Sequence, residues 1–536
     1  MMSDFRSSYL SYAETGRFTK IIIDYINGSG DLKDFYSHDV NIDGIRSAIK
    51  ARKKCNTNRI LLVEQLKKQY AALGDSGAVT SNIARLLQEN AFTICTAHQP
   101  NIFTGHLYFI YKILHTIKLA DGLKAKMPEC DFVPVFFMGS EDADIEELNH
   151  VTVDGKKYTW HTKQRGAVGR MLVDDALLKL IDEIAARLLV EKYGQDIIDG
   201  LKACFQKNST VAQSTFLFVH HLFKKYGLIV LLPDDEILKN EMKDIFEDDI
   251  FKNIPSEIVN NTGEHLSMHY KVQANPRDIN LFYLKDDIRN RIIKKKERYV
   301  VDDSNLIFTV NELKQELNDY PGRFSPNVIL RGLYQERILP NIAFIGGGGE
   351  IAYWLELKNL FDNYQVPFPV LIIRNSFLLI EKKFDQLFQR LGISANNLFQ
   401  HEDVVLKQVI KNQSPHRLDL DKERFQFRQT YDVIQKIVRE IDITLVQHTE
   451  SLEKRAVKKI DELEKKMLRA EKRKFAEVRS RLSKIYSLLF PENNLQERTD
   501  NFMLFYAKWG GDLFDTIYEN SLTLEQQFCI IEETGQ

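Results

Sequence analysis

Cysteine is scarce and scattered. Cys55, Cys95, Cys130, Cys204 and Cys529 form no CxxC pair, which argues against a zinc ribbon or a disulfide framework. No apolar run approaches the ~20 residues that a membrane-spanning helix needs. Neither charge sign is in excess: 73 Lys+Arg stand against 75 Asp+Glu, a net charge of −2, so no electrostatic pull toward nucleic acid or an anionic membrane is expected. The opening Met1-Met2-Ser3-Asp4-Phe5-Arg6 lacks the basic-then-apolar layout of a secretory leader, and the expectation is a cytoplasmic chain with reduced thiols. What is present is ordinary core material, 44% hydrophobic over 536 residues, enough for roughly three or four units of about 150 residues.

The most informative stretch is 341–354. The uncharged run Ile342–Ile345 stops at Gly346-Gly347-Gly348-Gly349, and Ile351, Trp354 and Leu355 then restart with helical spacing. That predicts a buried strand, a tight turn and a helix N-terminus, where bare backbone and free N–H groups favour an anion. The dinucleotide fingerprint is not met, because Ile351 occupies the place of its third glycine.

Other strands read the same way. Phe92–Ala97 leads to His98-Gln99-Pro100-Asn101, a helix from about Thr104 carries Leu107, Ile110, Tyr111, Leu114 and Ile117, and Phe132–Met138 ends in Gly139-Ser140-Glu141-Asp142-Ala143-Asp144. Strand, helix, strand implies parallel pairing with a right-handed crossover and ligands at the carboxyl ends. Leu228–Leu232, 341–345 and Val370–Ile373 extend the set to at least five parallel strands. The expected organisation is an α/β core over residues 1–380. It has a helical part at 1–90 and insertions at about 150–215 and 255–325, the second irregular with a solvated basic run from Arg289 to Arg298. Residues 381–490 should form a helical coiled coil, since Ile460, Leu463, Met467 and Ala470, then Phe475, Val478, Leu482, Ile485 and Leu489, step by three and four. A break near Asp442-Ile443-Thr444 divides it into two helices, and the seam calls for an antiparallel hairpin or a homodimer. Residues 491–536 should return to the core.

Glu141, Asp142 and Asp144 at a strand end could hold Mg²⁺, orient an amine or act as a base, or simply cap the next helix. Thr104-Gly105-His106 is similar to half of the HIGH signature of class I synthetases, without a KMSKS partner. Cys95, His98, His106 and His150 show no convincing metal-ligand spacing, and no metal site is assigned.

Combined, these pieces resemble one family. His98-Gln99-Pro100-Asn101-Ile102-Phe103-Thr104-Gly105-His106-Leu107-Tyr108 with Tyr111-Lys112, Ser140–His150, Arg331–Lys358, and Leu468–Lys474 with Leu495–Arg498 and Asn501 are similar to the motifs of the bacillithiol synthase family. The resemblance implies a Rossmann-like core with connecting-peptide insertions and a dimerising coiled coil. It also implies a cysteine ligase that uses ATP with Mg²⁺ to join L-cysteine to the amino group of glucosaminyl malate. Carried over residue by residue, it makes Asp142, Asp144 and His106 catalytic candidates. Substrate contacts would come from His98, Gln99, Thr104, Gly105, Tyr108, Glu141 and Asn149, and from Arg331, Gln335, Gly346, Gly347, Gly349, Glu350, Tyr353 and Trp354. Lys472, Lys474, Arg498 and Asn501 become nucleotide candidates. The chain departs from many members in having His98 for Gln, His106 for Pro and Ala143 for His, which places more weight on Asp142, Asp144 and the glycine turn. The alternatives are a coiled-coil nucleotide- or sugar-binding protein without this chemistry, and a class I adenylating ligase for another amine.

Overall fold

The computed structural model describes residues 4–534. The chain forms two units, one holding the residues up to Leu379 with Asn494–Ile531, the other Ile380–Asn493 with Glu532–Thr534.

The strands that matter are β1 (Asp4–Ser11), β2 (Ala91–His98), β3 (Asp131–Met138), β4 (Ile229–Leu231), β5 (Asn341–Gly346), β6 (Val370–Ile373), β7 (Ser376–Ile380) and β8 (Gln527–Thr534). Five of them form a parallel sheet in the order β6-β5-β2-β3-β4, a Rossmann-like core as expected. Its strands are apolar along nearly their whole length because both faces are covered. Phe92, Ile94, Ile342, Ile345, Val370 and Ile372 pack with Leu119, Ala120 and Leu123 of helix α1 (Tyr108–Lys126). The chain starts at β2, moves outward through β3 and β4, then returns to β5 on the other side of β2. The strand order therefore reverses between β2 and β5, which leaves a crevice beyond their carboxyl ends.

Two expectations are corrected. Residues 1–90 are not wholly helical, since β1 pairs with β8 in a second sheet, β1-β8-β7. Its partner lies some 500 residues away, out of reach of any local pattern. Nor is the second insertion irregular: residues 281–326 carry a five-stranded antiparallel sheet, and the basic run lies on its strand Ile288–Lys295.

A buried polar knot ties the amino end of β5 to the layer behind it. Arg52 pairs with Glu336 at 2.7 Å, and their side chains are only 2% and 0% exposed. Arg52 also donates to the Asn341 carbonyl at 2.8 Å, while Asn341 and Gln335 donate to Glu336 at 2.7 and 2.9 Å.

In the second unit, α4 (Asp421–Ile441) and α5 (Thr444–Lys474) form the antiparallel hairpin, joined where Asp442 accepts the Thr444 N–H at 2.8 Å. Arg424 reaches Asp461 at 3.0 Å and Glu464 at 2.6 Å, and Gln435 reaches Glu453 at 3.2 Å, the order an antiparallel pair requires. Helix α6 (Ala476–Leu489) follows and buries Leu482, Ile485 and Leu489.

Removing one member of a buried ion pair strands the other charge, at a cost of about 3–5 kcal/mol. Arg52→Ala is therefore expected to lower unfolding free energy by about that amount, measured by denaturant titration.

Candidate functional site

A cavity of about 350 Å³ opens in the crevice between β2 and β5. Each strand end supplies a wall. Ala97, His98 and Gln99 follow β2, Gly139 and Asp142 follow β3, Gly347–Gly349 follow β5, and Arg374 follows β6. Helices α1, α2 (Val328–Ile338) and α3 (Gly348–Trp354) add Tyr108, Lys112, Arg331, Glu350 and Tyr353, and the returning C-terminal segment adds Arg498.

One pole is cationic and glycine-lined. The Lys112 ammonium is buried, pairs with Glu350 and donates to the Ala97 carbonyl at 3.0 Å. Burial pulls its pKa down, opposed by Glu350. Glu350 in turn accepts the Gly347 N–H at 2.8 Å, so that donor at the helix start is already engaged by a carboxylate. Arg374 pairs with Glu497 at 2.6 Å and lies over the Tyr108 ring at 5.1 Å. Burial opposes the Arg374 charge, but Glu497 outweighs it and raises the pKa. A Cβ at Gly347 would lie in ordinary contact with the Glu350 carboxylate, at 3.4 Å, and with Arg374 Nε, at 3.6 Å, so the backbone here stands directly beside both charged groups.

The other pole is acidic. Burial would raise the Asp142 carboxyl, but the nearby Arg331 and Arg289 guanidiniums outweigh it and hold it below the usual range. Arg331 and Gln99 donate to it at 3.4 and 3.3 Å. The loop 167–170 fixes this strand end: Gly169 donates to the Ser140 carbonyl at 2.9 Å and Val168 to that of Asp142 at 2.7 Å. Beside Asp142, the Glu147 carboxyl is raised by burial and by the Asp142 and Asp144 charges. Between the poles, His98 is held well below its ordinary pKa, first by burial and then by Lys112, His106, Arg374 and Arg331. Its ring is thus neutral, with Tyr108 Oη 3.4 Å from Nε2. Burial pushes the Tyr108 hydroxyl up to about 12.

The motif residues divide into those facing the cavity and those supporting it. His98, Gln99, Tyr108, Asp142, Arg331, Gly347, Gly349, Glu350, Tyr353 and Arg498 line it, and Gly346 accepts the Arg374 N–H at 2.8 Å just behind. Asp144 caps the helix Ile145–Leu148, accepting the Glu147 N–H at 3.3 Å. Glu141 is buried against Lys239, which also reaches Asp234 at 3.0 Å; burial raises the Glu141 carboxyl. Asn149 ends the helix Ile145–Leu148. Gln335 belongs to the Arg52 knot, and Trp354 stacks on Phe344 with ring centroids 4.3 Å apart. His106 Nδ1 lies 3.1 Å from the Thr499 carbonyl. Thr104 and Gly105 form a strained turn, in which even Phe103 and Thr104 have φ of 50° and 70°. Such residues are costly unless clamped, and the Asn501 amide clamps this turn by donating to the carbonyls of Phe103, at 2.9 Å, and Gly105. Lys472 and Lys474 pair with Asp403 at 3.5 Å and Glu471 at 2.9 Å inside the second unit.

Four residues carry weight that the motifs did not assign. Lys112 is a charge inside an apolar helix, and Arg374 is the first charge after an apolar strand; both are visible signals. Glu147 lies inside the Ser140–His150 motif without an assigned role. Arg289, read as part of a solvated run, stacks on Phe282 at 4.1 Å and projects its charge toward Arg331 and Asp142. Among the described residues no group of three or more His, Cys, Asp or Glu is placed to hold a metal ion, and no helix is long and apolar enough to cross a membrane.

If Arg331 holds Asp142 ionised, the sign is fixed: a depressed carboxyl keeps its favourable pairing above its unfolded-state pKa and loses it as pH falls through the folded value. Arg331→Ala is expected to raise the Asp142 midpoint, read by carboxyl carbon NMR.

Known families match the chain from end to end. A model described as the N-terminal Rossmann-like domain of bacillithiol biosynthesis BshC matches residues 5–375, and one for the C-terminal coiled-coil domain matches 377–533. Curated relatives named "Putative cysteine ligase BshC" include those of Flavobacterium johnsoniae, 37% identical over 97% of this chain and 99% of the relative, and Flavobacterium psychrophilum, 37% identical over 98% and 99%. That of Christiangramia forsetii is 38% identical over 97% and 98%. With both domain models matched in order over nearly the whole chain, the chain belongs to the bacillithiol biosynthesis BshC family.

Proposed function

We propose that this chain is a carbon–nitrogen ligase that joins L-cysteine to the amino group of glucosaminyl malate, with ATP and Mg²⁺ activating the cysteine carboxylate. The observation that carries this reading is the bipolar cavity. A cationic, glycine-lined pole suits phosphate or carboxylate oxygens, and a carboxylate pole suits an amine. The relatives' name, cysteine ligase, supports the cysteine-joining part of this reading.

At the first pole, Gly347–Gly349, Arg374 and Arg498 would hold the nucleotide's phosphates, and the Gly347 backbone beside Arg374 fits that use. Bound there, ATP supplies a phosphoanhydride that turns an inert carboxylate into an acyl donor. Lys112, neutralised by Glu350, would steady the Glu350 end of the turn rather than add free charge. At the second pole, Asp142 stays ionised and would orient the acceptor's ammonium group, Gln99 and Arg331 fixing the carboxylate rotamer. His98 and Tyr108, both neutral, would divide the two poles without adding charge of either sign. The coiled coil leaves Phe425, Val433, Ile437 and Ile441 exposed on α4, a face suited to a second copy.

Purified protein incubated with L-cysteine, glucosaminyl malate and Mg²⁺-ATP, each omitted in turn, is expected to give the cysteinyl amide by mass spectrometry only in the complete mixture. Asp142→Asn should reduce amide formation about 100-fold with the fold intact, the scale of one positioned polar group. Binding of glucosaminyl malate without product from the unsubstituted chain would overturn the ligase in favour of a binding protein.

A further inference from the structure

We propose that Glu147 is the general base that removes the proton from the acceptor's ammonium group, a role that rests on the ligase reading above. An amine attacks only as its neutral form, so a site that joins amine to acyl group needs an acceptor for that proton. Four groups in the cavity wall could serve, and their surroundings differ.

Asp142 is engaged by Arg331 and Gln99, and its depressed carboxyl has little affinity for a proton. Glu350 is engaged by Lys112 and the Gly347 N–H. His98 faces Lys112, Arg374 and Arg331, which all oppose a positive charge on its ring. Glu147 is different. Its backbone N–H and carbonyl are fixed by Asp144 and by the Asn101 amide, at 3.3 and 3.4 Å, but among the described residues no donor reaches its carboxylate. Asp142 and Asp144 from its own segment favour its protonated form, Arg331 from α2 opposes it, and Tyr108 from α1 faces it as a neutral hydroxyl. It lines the cavity beside the carboxylate that would orient the amine, and it remains open enough to pass the proton to solvent.

The step balances as follows. The ammonium gives one proton to the Glu147 carboxylate, leaving a neutral amine and a carboxylic acid. The nitrogen lone pair forms the C–N bond to the cysteinyl carbonyl carbon, and the C–O bond to the phosphate or nucleotide breaks with its electron pair going to that oxygen. The second nitrogen proton leaves with the collapse to the amide and is carried away by the phosphate. Glu147 then returns its proton to water.

The test compares Glu147→Gln with the unsubstituted chain in two assays on the same preparation. Hydroxylamine, a nucleophile already unprotonated at neutral pH, traps activated cysteine as a hydroxamate without a base, and glucosaminyl malate gives the amide. The expected result is hydroxamate formation within twofold of the unsubstituted rate and amide formation lowered about 100- to 1000-fold. The acid limb of kcat/KM for the acceptor should disappear and be replaced by a steady rise with pH, and Glu147→Asp should restore part of the rate. Equal loss in both assays, an unchanged amide rate, or an unchanged acid limb would overturn the assignment. Neither product from the unsubstituted chain would instead overturn the ligase reading itself.

Discussion

The buried pair between Arg374 and Glu497 is the contact on which the rest of the site depends. Arg374 leaves β6 at the sheet's carboxyl edge, and its guanidinium reaches Glu497 at 2.6 Å, Ser376 at 3.1 Å and the Asn375 carbonyl at 3.2 Å. Glu497 also accepts from Ser376 at 3.2 Å and from the Phe377 N–H at 3.3 Å. Two charges removed from water are tolerated because nearly every donor and acceptor has a partner. The same guanidinium forms part of the cavity wall and lies over Tyr108, so one ion pair sets the cationic pole and docks the C-terminal segment. His115 supports that docking from the other side: its Nε2 lies 2.9 Å from the Thr523 carbonyl, and its Nδ1 accepts the Asn375 N–H at 3.1 Å. Burial pushes its pKa down to about 4, so the imidazole keeps this tautomer at neutral pH.

The carboxylates show how environment divides labour among identical groups. Asp142 is kept charged by arginine, Glu141 is buried against lysine, Asp144 is spent on a helix cap, and Glu147 alone is unengaged. All four lie within seven residues of one another. No spacing rule separates them; the partners that do so come from Arg331, Lys239 and the loop after Ala167, which are distant in sequence.

This explains which parts were legible beforehand. The five parallel strands were, because a strand buried on both faces must be apolar throughout, and the polar residues at their ends stand out against that run. The hairpin break at Asp442 was readable because a cap is local chemistry. Strand β1 was not, since half of its residues face outward and its partner lies at the far end of the chain. The antiparallel sheet holding Arg289 was hidden because its strand Ile288–Lys295 is only partly buried and rich in charge, which resembles a solvated loop. Within the motifs, family resemblance located the site but could not sort wall from support. Trp354 lies one residue from Tyr353, yet helical geometry turns neighbouring side chains by about 100°, sending Tyr353 to the cavity and Trp354 to the core.

The clamp formed by residues 497–501 has a consequence for synthesis. The strands of the parallel sheet are all present once β6 has emerged from the ribosome, well before residues 497–501 are made. At that point Arg374 lacks Glu497, the strained turn at Phe103–Gly105 lacks Asn501, and the cavity lacks Arg498. The intervening residues form the second unit. A nascent chain that has made its sheet therefore has an unfinished cavity until residues 497–501 are added, and a chain cut short within the coiled coil keeps the crevice without its lock.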